Sequence, residues 1–92
     1  MDSIGDMYFA ATLLAYGAEL VGMDREDPRH QKFQFVGEIE QIFVLEKGSK
    51  VILRIEKPSF DDIKTKFIGR TLMLPPEYVD AIRRIKAAIH DY

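Results

Sequence analysis

"KFQFVGEIEQIFVLEKGSKVILRIE", residues 32–56, decides how the chain is read. Phe33, Phe35 and Ile39 alternate with Lys32, Gln34 and Glu38, which is the two-residue period of a strand with one wet face. The phase then fails: Ile42, Phe43, Val44 and Leu45 are all apolar. Either a bulge near Gly37 or Gln41 resets it, or the strand is covered on both faces. "EKGSK" reads as a tight turn, and "VILRIEK" returns with Val51, Leu53 and Ile55 on one side. A long apolar hairpin therefore stands at the centre of the chain.

Toward the N-terminus the signals are helical. Asp6 can accept from the free N–H groups of a first turn, and Gly17 stands where a left-handed C-cap is commonest. Between them a helix over 7–16 is apolar or aromatic at every position except Thr12. Such a helix is covered on most sides, by the sheet, by the last helix or by another subunit. A strand over 18–23 follows. "DREDPRHQ" is a charged connection broken by Pro28, and its tip is expected to be exposed and mobile.

Toward the C-terminus Pro58 ends the hairpin, and Ser59 caps the short helix "FDDIKTKF", with Asp61 and Asp62 in its first turn. Gly69 stops it. "RTLML" is a short edge strand or an extended link. Pro75 and Pro76 begin a last helix, where a missing N–H costs nothing. Its apolar stripe is Tyr78, Ile82, Ile85 and Ile89, flanked by Ala81 and Ala88. Burying each Ile stabilises by about 1.5–3 kcal/mol, enough to dock the helix on the sheet.

The order α-β-β-β-α-(β)-α predicts an α+β domain spanning residues 1–92. Three antiparallel strands (18–23, 32–46 and 50–57) and a short fourth form one sheet, flanked by an N-terminal, a middle and a C-terminal helix. Phe33, Phe35, Leu53, Ile55, Ile82, Ile85 and Ile89 are the expected core.

Composition narrows the function. At 92 residues the chain has room for one core. Without cysteine there is no disulfide, thiolate nucleophile or cysteine-bound zinc. The net charge of −2 argues against a general polyanion binder. The acidic start "MDSIGDMYFA" does not read as an export signal, and the apolar run over 7–18 is too short to span a bilayer. The expected setting is cytoplasmic, with no membrane partner.

No catalytic arrangement stands out. His30 and His90 lack a second ligand at metal-binding spacing. Asp61 and Asp62 fit capping, and Ser3, Ser49 and Ser59 fit turn or cap sites. No cofactor, metal or enzyme activity is expected. Arg83, Lys86 and His90 share one flank of the last helix and could meet a phosphate, with Lys64, Lys66 and Arg70 as further cations, which makes nucleic acid an alternative partner. The plainer reading is a solvated helix face, with Asp80 at pairing distance from Arg83 or Arg84. Phe33 and Phe35 could stack on bases if exposed, but phenylalanines at strand spacing are ordinarily core.

The two ends, "DMYFAATLLAYGAELVGMD" and "SFDDIKTKFIGRTLMLPPEYVDAIRRIKAAIHDY", resemble a family of short phage, prophage and bacterial proteins. One motif of that family falls on Asp6, Tyr8, Ala10, Leu13, Leu14, Ala15 and Gly17. The other falls on Leu72, Leu74, Pro76, Tyr78 or Val79, Ala81, Ile82, Arg83, Ile85 and Lys86. The hairpin between them is longer than the resemblance leads one to expect. The resemblance implies a phage or mobile-element setting and a small α+β fold, and it designates no site residue. The combined expectation is a non-catalytic interaction module that forms a homo-oligomer. Accessory nucleic-acid binding and inhibition of a host protein are the alternatives.

Overall fold

A computed structural model describes residues 2–27, 29, 31–46, 48 and 50–91. Pro28, His30 and Ser49, given loop and turn roles above, lie outside the described residues. The elements are β1 (Asp2–Ile4), α1 (Met7–Ala15), β2 (Glu19–Asp24), β3 (Lys32–Val36), β4 (Gln41–Leu45), β5 (Ile52–Glu56), α2 (Phe60–Ile68) and α3 (Tyr78–Asp91). The fold is α+β, as expected.

α1 is fixed at both ends by the residues that predicted it. The Asp6 carboxylate accepts from the N–H groups of Tyr8 (2.8 Å) and Phe9 (3.0 Å). At the other end Gly17 takes φ 109°. Its N–H donates to the Leu14 carbonyl, and that of Ala18 to the Leu13 carbonyl, the paired bonds of a Schellman cap. Between the caps residues 9–14 are all buried. Thr12 is fully buried without penalty because its hydroxyl donates to the Tyr8 carbonyl at 2.8 Å.

The expected single sheet is instead two. β3 lies between β1 and β2 in one antiparallel sheet, and β4 pairs with β5 in another. The strand predicted over 32–46 breaks at residues 37–40, where Gly37 takes φ 98° and the chain leaves the first sheet. The loss of phase was thus a change of sheet, not a bulge. A bulge does occur elsewhere, in β2 between Leu20 and Gly22. "RTLML" lies beside β4, with one bridge at Leu72 opposite Val44.

α3 has α1, not the sheet, as its principal partner. Its most buried line is Ala81, Ile85 and Ala88, while Ile82 and Ile89 are only partly buried. Ala81 and Ala88 on α3 and Ala10 and Ala11 on α1 are all buried, and small residues of this kind suit close helix packing. One core joins all three helices and both sheets, through Phe33, Phe35, Ile39, Ile42, Ile63 and Ile85. α2 leans on α1 through Phe67, whose ring lies 5.4 Å from that of Phe9.

One further expectation changes: Leu53, expected in the core, is 39% exposed. Arg25, at the start of the connection whose tip was expected to be exposed, reaches α3 and donates to the carbonyls of Ile89 (3.0 Å) and Ala88 (3.3 Å).

Candidate functional site

The hairpin and the segment after α2 build the most distinctive surface. Backbone bonds from Leu45 N–H to the Thr71 carbonyl and from Met73 N–H to the Phe43 carbonyl, each 2.8 Å, lay residues 71–73 along β4. Phe43 and Leu45 therefore turn their backbone groups toward that segment, and Ile42 and Val44 turn theirs toward β5. Side chains follow the pleat. Ile42 and Val44 point into the core and are buried, while Gln41, Phe43 and Leu45 point outward. Their partners Arg54 and Ile52 continue the outer face across β5.

That face is apolar and open. Phe43, Leu45, Ile52, Met73 and Leu74 are between 36% and 54% exposed. Beside it lies a groove of about 720 Å³, running from the end of α1 across β4 to Pro75 and Pro76. Glu38 and Glu40 stand at its rim.

Tyr16, at the C-cap of α1, closes the inner end of this groove. Its hydroxyl donates to the Met73 carbonyl and receives a long contact, 3.4 Å, from the Phe43 N–H. Phe43 and Met73 would otherwise exchange two backbone bonds, and the phenol oxygen takes the place of one. Burial raises the Tyr16 pKa, and the Phe43 N–H partly opposes this by favouring the phenolate. In the sequence Tyr16 reads only as the last residue of a helix. The available signal was a large amphipathic side chain just ahead of a capping glycine, whose hydroxyl requires a partner once its ring is covered.

The cations singled out in the sequence lie elsewhere. Arg83, Lys86 and His90 are exposed on α3 at spacings that keep them on one side. Arg83 pairs with Asp80 at 3.6 Å, and both are largely exposed, so the pair adds little. Lys64 and Lys66 stand on α2, and Arg70 in the turn that ends it. Phe33 and Phe35 are buried and cannot stack on a base. Asp62 serves α2: the Ser59 N–H donates to its carboxylate and its own N–H donates to the Ser59 hydroxyl, both at 3.1 Å. The Ser59 backbone bond, followed by its side chain, holds the Asp62 pKa down.

Among the described residues no three His, Asp or Glu side chains converge as a metal site, and no helix is long and apolar enough to cross a membrane. An apolar floor with carboxylates at one edge suits the burial of another apolar surface. No protein-family model, curated protein or solved structure matches the chain.

Proposed function

We propose that the protein is a small non-catalytic interaction module that self-associates through the β4–β5 hairpin. One observation carries this reading: while Phe33, Phe35, Ile42 and Ile85 are buried, Phe43, Leu45, Ile52, Met73 and Leu74 stand together on the outside. Isolated exposed apolar residues are ordinary, whereas a contiguous set on a sheet face marks a surface that another molecule covers. A second copy is the partner proposed. The Tyr16 hydroxyl, the one phenol at this groove, is engaged by backbone groups, which supports a structural role for it. The resemblance of the two chain ends supports a phage or mobile-element setting in the cytoplasm, with a host protein as the alternative partner. Nucleic acid through Arg83, Lys86 and His90 ranks lower, because Asp80 offsets part of that charge.

Light scattering across a concentration series tests the reading. A mass that rises above 10.6 kDa with concentration is expected. Leu45→Ser combined with Ile52→Ser should weaken association at least tenfold while circular dichroism stays unchanged. A constant 10.6 kDa up to high micromolar concentration overturns self-association.

A further inference from the structure

We propose that two copies join edge to edge through β5, antiparallel about a two-fold axis that passes between Leu53 and its counterpart. The inference rests on the self-association reading and puts the contact on the hairpin's open edge: of the exposed apolar set only Ile52 lies on β5, and Phe43, Leu45, Met73 and Leu74 stay outside this contact.

The other strand edges are blunted or covered. β1 is three residues long, and β2 is kinked by the bulge at Leu20/Gly22. Both are standard protections against edge pairing. β4 is paired on one side with β5 and lined on the other by residues 71–73. β5 has β4 as its only neighbouring strand among the described residues. Ile55 and Leu53 face Ile42 and Val44, so the ladder with β4 uses their backbone groups. The N–H and C=O groups of Ile52, Arg54 and Glu56 point the other way, toward the open edge.

Side-chain chemistry selects the register. With Leu53 on the axis, Ile52 lies opposite Arg54 of the second copy, and Lys50 lies opposite its Glu56. Opposite charges then meet at both ends. On the inner face Leu53 meets its own copy and Val51 meets Ile55, joining side chains that are 39% (Leu53) and 58% (Val51) exposed in one chain. Neighbouring registers are worse. An axis at Arg54 sets two guanidinium groups face to face, and an axis at Ile52 sets Arg54 against Lys50. An axis at Ile55 sets Ile52 against Pro58, which has no N–H to give, and runs into Lys57, whose φ of 46° ends the strand. The pairing is isologous and closes after two copies, so it does not propagate into fibres.

The absence of cysteine makes a clean test possible. In this register the two Leu53 positions form a non-hydrogen-bonded pair with Cα atoms about 4.5 Å apart, within reach of a disulfide. Leu53→Cys should cross-link to a dimer under mild oxidation, and Val79→Cys on α3 should not. If Leu53→Cys folds poorly, an equimolar mixture of Ile52→Cys and Arg54→Cys reads the same register from two exposed positions, cross-linking more in the mixture than in either alone. Arg54→Pro removes an N–H that β4 does not use and should reduce the mass by light scattering to 10.6 kDa. A wild-type dimer that survives Arg54→Pro, or that cross-links at none of these positions, overturns the β5 interface and leaves self-association standing. A wild-type monomer at every concentration overturns both.

Discussion

Replacing Tyr16 by Phe removes one oxygen that serves both the Phe43 N–H and the Met73 carbonyl. The site is partly wet, so the loss should be about 0.5–1 kcal/mol by urea unfolding. Its pH dependence is more specific. Burial raises the folded pKa of Tyr16 above the ordinary 10.0. A group raised in this way contributes fully below its unfolded pKa and loses the contribution as pH rises through the folded one. The stability gap between wild type and Tyr16→Phe should therefore stay constant up to pH 10.0 and narrow above it. Tyr78 is raised as well, by burial first and then by Tyr8 and Asp6, but it is common to both proteins and cancels. Arg70 offers the opposite kind of change. Gly69 stops α2 as its C-cap at φ −71°, and it is the next residue, Arg70, that takes the left-handed φ of 61°. Arg70→Gly should stabilise by about 1 kcal/mol in the same assay. The sequence could not separate these neighbours, because either one can turn the chain. What confines position 69 is a Cβ that would come within 3.2 Å of the Thr65 carbonyl.

Among the elements, the helices were the most legible. Asp6 and Ser59 cap where they were expected to, and Gly17 turns the chain out of α1 just past its C-cap Tyr16. Caps act through bonds within a few residues, so they are written locally in the chain. The C-terminus of α3 was not legible, because the donor that serves it comes from Arg25, more than sixty residues away. Arg25→Ala should cost about 0.3–1 kcal/mol and speed amide exchange in the last turn of α3, with α1 unaffected. The exposed flank of the same helix should behave differently. Arg83→Ala with Lys86→Ala should change stability by less than about 0.5 kcal/mol. Any binding to duplex DNA should follow salt with a slope of only about −2 to −3. Sub-micromolar binding at physiological salt that vanishes in this double variant would instead promote the nucleic-acid reading.

For the whole molecule, a shared core implies one transition. Ile85 is fully buried where α3 meets α1, and Ile85→Ala should cost about 2–5 kcal/mol. Far-ultraviolet circular dichroism and tyrosine fluorescence should report the same midpoint, since both sheets and all helices join that core. Class and burial were readable to different depths. Phe33, Phe35 and Ile85 are buried as expected. Leu53 sits on the expected face but is not covered, because period-2 reasoning identifies the face of a strand and not how far the opposing layer extends. The split into two sheets was marked only by the lost phase after Gly37. β1 has three residues, too few to show any period. The outer apolar face could be recognised only once residues 71–73 had been placed beside β4.

Tyr16 and Met73 are separated by 57 positions in the chain. Joining them means closing a large loop, and the entropy of that closure must be met before the contact returns anything. The phenol is therefore expected to enter the ladder late, after α1 and the hairpin. In kinetic terms it belongs to the descent from the transition state. Tyr16→Phe should leave the folding rate nearly unchanged and express its whole effect as faster unfolding.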